Sequence, residues 1–176
     1  MPSTEPKIDP YAVKDIEDSV RRLLRDMGNP EPPIKLEDVR AQQKLDLTYY
    51  SKADLSLLDE IAHKAKLAGS HILSTATSMF DVVTKVGLKA LINQEERRIY
   101  IDKAVIVPKR RFILAHEITH DLLDWHGDFL LGDNEETLNP NFHQMMEAEA
   151  NYGGRELIFM GDRFTTEIRD SEVNWK

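Results

Sequence analysis

The sequence predicts a small α+β domain, several helices with a sheet of about three strands, two of them forming an antiparallel hairpin. Three observations carry this. Apolar residues recur at helical spacing over several long segments. Two short alternating runs flank a polar turn in the middle of the chain. A chain of 176 residues, 41% hydrophobic and 31% charged, has room for one ordinary core and not for two.

The elements follow in order. Residues 1–9 are polar and without periodicity, and read as a flexible arm. Asp9-Pro10 is a cap followed by a proline suited to the first helical turn, and Val13, Ile16, Val20, Leu23 and Leu24 make an apolar stripe that Gly28 ends. The segment PIKLEDVRAQQ offers a short second helix, and Leu45 to Tyr49 alternates like a strand. Helical spacing returns from Ala53 to Leu67, and a further helix is expected around Ser78 to Lys85. Leu88 to Ile92 and Arg98 to Ile101 then flank Asn93-Gln94-Glu95-Glu96 as a hairpin. After Pro108, Arg111, Ala115, Ile118, Leu122 and Trp125 mark one buried face of a helix that Gly127 is placed to stop. A polar loop leads to a long helix from about Pro140 to Met160, with Met146, Ala150, Gly154 and Leu157 on its apolar side. The expected organisation is an arm, one domain over residues 10–162, and a polar tail over 163–176.

Charge and composition narrow the chemistry. A net charge of −8 repels a phosphate backbone and an anionic membrane surface, so direct binding of nucleic acid is not expected. No apolar run approaches the roughly 18 residues that span a bilayer, and MPSTEPKIDP lacks a secretory pattern, so the expectation is a cytoplasmic protein without a membrane partner. The chain has no cysteine, so a transition metal must be held by His and carboxylate.

The segment RRFILAHEITHDLLDW, residues 110–125, supplies two histidines in H-E-x-x-H spacing. Chance alone gives that pattern in on the order of 1% of chains this size, which makes it a signal. Residues four apart on a helix are only about 40° apart in rotation and about 6 Å along the axis, so His116 and His120 can share one ion. Glu117 lies about 100° round, out of reach as a close ligand and within reach of a water at the ion. Two nitrogen ligands, an open position and a neighbouring base are what a hydrolytic zinc site needs. The third protein ligand is sought in HQMMEAEAN, residues 143–151, where Glu147 and Glu149 are about 200° apart and only one can face the metal. Glu147 borders the buried side and is the geometric choice; Glu149 is expected to turn further towards solvent.

These residues resemble the ImmA/IrrE family of metallopeptidases. RRFILAHEITHDLL is similar to the family's arginine-phenylalanine lead-in and H-E-x-x-H helix, preceded by a strand ending in Ile99-Tyr100-Ile101-Asp102. EAEANYGGRELIFM, residues 147–160, is similar to its second helix, Glu-x-x-x-Asn followed by aromatic, small and apolar residues. The resemblance covers about residues 85–160. Gly153 and Gly154 stand where the family usually has alanines, which costs about 1 kcal/mol each in helix propensity and lets two helix backbones approach closely. Met160 is followed by glycine rather than proline, and the stretch 53–86 is longer than the usual connection, as a lid or partner surface would be.

The resemblance implies a zincin-like domain with helices on a short antiparallel sheet, one Zn2+ held by His116, His120 and Glu147, and Glu117 as general base. It implies an endopeptidase in which the zinc polarises a peptide carbonyl and a water while Glu117 moves the proton. The substrate class it implies is a regulatory protein such as a helix-turn-helix transcriptional repressor. The strand from Arg98 to Ile101 is expected to be an exposed edge that pairs with an extended substrate. His126, His143, Tyr49 and Tyr50 are candidates to stabilise the oxyanion, His126 being equally able to serve the end of the motif helix; Asp133-Asn134-Glu135-Glu136 reads as a solvated charge run. The competing expectation is a catalytically silent metal-binding regulatory or interaction protein.

Overall fold

The chain enters its first helix, α1 (Pro10–Asp26), through Asp9, whose carboxylate accepts a hydrogen bond from the Tyr11 backbone at 2.7 Å. Pro10 fits the first turn because the amide it lacks would have no helical partner there. The expected stripe is buried at Ile16, Val20, Leu23 and Leu24, and the chain leaves the helix through Gly28 at φ +78°, a conformation that favours glycine. The computed structural model describes residues 6–51, 89–94, 96–130, 140–161 and 163–173, without the side chains of 128–130, 140–143, 165 and 171–173. The helices expected at 53–67 and 78–85, and the charge run at 133–136, lie outside these residues.

A short helix, α2 (Leu36–Gln42), buries Leu36 and Val39 and leads into the first strand, β1 (Asp46–Tyr50). The hairpin follows as β2 (Ala90–Asn93) and β3 (Arg98–Asp102), turning through Arg97 at φ +53° with the Asn93 side chain accepting from the Glu96 backbone at 3.1 Å. The sheet order is β1-β3-β2, with β2 antiparallel and β1 parallel to β3. The sheet is therefore mixed, where an antiparallel one was expected. Alternation reveals a strand and not its direction: β2 carries the chain back along the sheet, so β3 leaves the hairpin running the same way as β1 beside it.

A second correction follows from the order. The strand from Arg98 to Ile101 is central and paired on both sides, with Ile99 and Ile101 wholly buried, so it is no edge. Among the described residues, the edge beside the motif helix is β2. The Asp102 amide donates to the Lys89 carbonyl at 2.9 Å, and the antiparallel register then turns the main-chain groups of Ala90 and Ile92 away from β3.

The motif helix, α3 (Val107–Leu122), ends earlier than Gly127. Leu123 is extended, at φ −94° and ψ 100°, because its side chain is drawn fully into the core. A separate helix, α4 (Asp124–Leu130), then includes Gly127, where a Cβ would come 3.1 Å from the Gln94 side chain. Burial on α3 is also wider than one stripe. Arg111 is exposed and donates to the Ile34 carbonyl at 2.8 Å, whereas Leu114, Ala115, Glu117, Ile118, Thr119 and His120 are all buried. The reason is that α3 lies between the sheet, through β2, and the long helix α5 (Pro140–Phe159).

Gly153 and Gly154 set the closeness of that second contact. A Cβ on Gly154 would lie 3.2 Å from the His116 backbone nitrogen, and one on Gly153 would lie 2.5 Å from the Thr119 methyl. The expected close approach of two helix backbones is present. Helix α5 ends through Met160 and Gly161, both at positive φ, with the Gly161 amide on the Glu156 carbonyl at 2.9 Å. The stretch expected as a polar tail forms a further helix, α6 (Arg163–Val173), and Arg163 donates to the Pro30 carbonyl at 2.9 Å.

Candidate metal centre

Two helices bring the site together. On α3 the four-residue spacing stacks His116 and His120 with their Nε2 atoms 3.2 Å apart. From α5, Glu147 places Oε2 3.3 Å from His116 Nε2 and Oε1 3.5 Å from His120 Nε2. A divalent ion about 2.1 Å from each donor in tetrahedral geometry needs donors about 3.4 Å apart, the spacing seen here. Three such donors this close attract one another only through a shared proton or a cation lying between them. His116, His120 and Glu147 could therefore hold a metal ion, as their spacing in the sequence predicts.

The histidines are held from behind. Asn151, one helical turn beyond Glu147, places Oδ1 3.0 Å from His116 Nδ1, which leaves Nε2 for the ion. His120 Nδ1 lies 2.9 Å from His126 Nδ1, and His126 Nε2 lies 3.0 Å from Glu149 Oε2. The same Glu149 oxygen accepts from Trp125 Nε1 at 2.9 Å.

Two expectations are corrected here. Glu149 is buried, at 7% exposure, because its carboxylate serves Trp125 and His126 across the helix contact; it does not turn towards solvent. His126 neither ends the motif helix nor lines an open cleft for an oxyanion. It is wholly buried behind His120, with both ring nitrogens engaged. Four-residue spacing puts Asn151 on the same helix face as Glu147; that this face meets His116 depends on the packing of α5 against α3.

Electrostatics separates the roles. Burial, foremost, pushes Glu117 up to about 7; Glu147 adds to this, while His116 and a hydrogen bond from the Ile92 backbone oppose it. Burial disfavours charge on Glu147 too, but the hydrogen bonds of His116 and His120 outweigh it and hold the carboxyl far below the usual range. His120 is pushed down to about 4, chiefly by burial, and is neutral. For His116 burial opposes protonation, yet Glu147 and Glu117 outweigh it and the pKa is raised.

The tyrosines differ. Tyr49 is 39% exposed with the Arg110 guanidinium 5.2 Å over its ring. Tyr50 is buried, and its hydroxyl is held protonated first by burial and then by the charges of Asp102 and Glu117. His143 lies outside the described side chains.

The described residues thus define an α+β domain carrying a His–His–Glu group able to hold a metal ion. No helix among them is long and apolar enough to cross a membrane. Compared with protein-family models, with curated proteins and with solved structures, the chain finds no match.

Proposed function

We propose that the chain is a zinc-dependent endopeptidase of the ImmA/IrrE type that cleaves a regulatory protein, with a helix-turn-helix repressor as the substrate class. The observation that carries the reading is the convergence of two neutral-capable imidazole nitrogens and one carboxylate on a single point, with a second, separately held carboxylate next to them in sequence. Nitrogen and oxygen donors at tetrahedral spacing suit Zn2+. The resemblance of residues 110–125 and 147–160 to that family supports the same assignment.

His116, His120 and Glu147 would hold the zinc, which when bound supplies Lewis-acid polarisation of a peptide carbonyl and of a water. Glu117 does the proton work. Buried beside the two histidines, it is placed to take a proton from the attacking water and return it to the leaving amine. Ile92, whose N–H serves Glu117, belongs to β2, so an extended peptide pairing with the outward groups of Ala90 would run beside the base.

The test is to load the chain with Zn2+, establish one ion per chain by native mass spectrometry, and incubate it with helix-turn-helix repressors and with casein. Cleavage by the wild type and none by Glu117→Gln supports the reading. One zinc per chain with neither protein cut favours a catalytically silent metal-binding regulator, and no bound metal overturns both.

A further inference from the structure

Holding an ion with His116, His120 and Glu147 does not account for a second buried polar group, formed by Glu149 on α5 with His126 and Trp125 on α4. Histidine and carboxylate are costly to bury, and apolar side chains of similar volume would pack between the two helices at no such cost. What distinguishes this group is its direction. An ionised carboxylate only accepts, so His126 Nε2 is the donor at 3.0 Å, and the same oxygen takes the Trp125 N–H at 2.9 Å. In the neutral ring that metal binding calls for, His126 Nδ1 then carries the lone pair, and His120 donates to it from Nδ1 at 2.9 Å. That leaves the lone pair of His120 on Nε2, facing His116 Nε2 and Glu147. With both imidazoles neutral, as metal binding through His120 Nε2 requires, this placement keeps the bond to Glu149 and the bond between the rings.

We propose that Glu149 and His126 are positioning residues, a buried brace that fixes the tautomer and ring angle of His120 before the ion arrives and so sets the strength of metal binding. The inference rests on the metal-centre reading. It assigns to His120 a support independent of Asn151, which orients only His116. Trp125 belongs to the brace through its hydrogen bond and through its indole, edge-on to the His126 ring at 5.9 Å.

The experiment measures Zn2+ affinity by competition with a chromophoric chelator, and the visible absorption of the Co2+-loaded chain, for wild type, Glu149→Gln, His126→Phe and His126→Asn. Glu149→Gln and His126→Phe are expected to lose roughly 10–100-fold in affinity, the usual effect of removing an outer partner of a ligating histidine, and to shift the cobalt bands. His126→Asn, which can still accept from His120 Nδ1, should recover part of both. Melting of the metal-free variants should not follow the same ranking. Wild-type affinity and an unchanged cobalt spectrum in Glu149→Gln, which keeps the volume of the site and decides the matter if His126→Phe does not fold, would overturn the brace alone. Absence of Zn2+ and Co2+ binding by the wild type would overturn the metal centre itself.

Discussion

Glu147 and Glu149 stand two residues apart on α5 and serve different histidines: Glu147 lies 3.3 Å from His116 Nε2 and 3.5 Å from His120 Nε2, Glu149 3.0 Å from His126 Nε2. The half-turn between them separates a candidate ligand from its proposed support. Glu147→Gln should therefore lower Zn2+ affinity by more than about 100-fold, beyond the range usual for outer partners. Dialysis against a chelator at a level that leaves the wild type loaded would show it as lost stoichiometry. Ligand nitrogens must be free of protons, so metal is lost as pH falls. Because the pKa of His116 is raised, this loss should begin at a higher pH than an ordinary histidine would give.

Glu117 should show opposite signs in activity and stability. In the proposed role of base, it should cost at least about 100-fold in turnover when replaced by glutamine, with zinc content unchanged. In the metal-free chain its pKa is raised from 4.5 to about 7, first by burial. Between those values the folded chain keeps a proton that the unfolded chain releases, so stability falls as pH rises through the window. Removing the carboxylate spares this cost, and metal-free Glu117→Gln should be more stable at pH 8 by on the order of 1–3 kcal/mol. Urea melts of both proteins at pH 4.5 and pH 8 would check it: no gap at low pH, a gap at high pH.

Local spacing made the candidate metal-holding group legible, because a helix fixes the angle between residues four apart whatever surrounds it. His116, His120 and Glu147 could be placed that way, and so could α1, whose cap and stripe are contiguous in sequence. Strand direction and burial of polar groups depend on partners far along the chain. Nothing near Leu45 to Tyr49 says that β1 runs parallel to β3, and nothing near Glu149 says that Trp125 and His126 will cover it. The early end of α3 has the same origin. Leu123 continues the helical pattern, yet the core takes its side chain at the cost of the helix.

The contact between α3 and α5 predicts how the site responds to added bulk. Alanine at Gly153 gains up to about 1 kcal/mol in helix propensity, but its Cβ meets the buried Thr119 methyl at 2.5 Å and the Ile16 side chain at 3.0 Å. Overpacking of this kind costs about 1–3 kcal/mol, so Gly153→Ala should be less stable than wild type in urea melts. Gly154→Ala meets the His116 backbone at 3.2 and 3.3 Å and can be relieved only by separating the helices. That moves Glu147 away from the histidines, so this variant should lose Zn2+ affinity as well as stability.

The edge strand offers a test of substrate pairing that leaves the metal alone. Ala90 turns its main-chain N–H away from β3, whereas Leu91, opposite Tyr100, bonds within the sheet. Proline removes one donor wherever it is placed. Ala90→Pro should therefore keep zinc and fold but raise KM for a cleaved protein by roughly 2–10-fold, the worth of one net hydrogen bond, with kcat little changed. Leu91→Pro removes a bond to β3 and should instead lower the melting temperature. An unchanged KM in Ala90→Pro, with Leu91→Pro destabilised, would show that β2 is an edge of the sheet and nothing more.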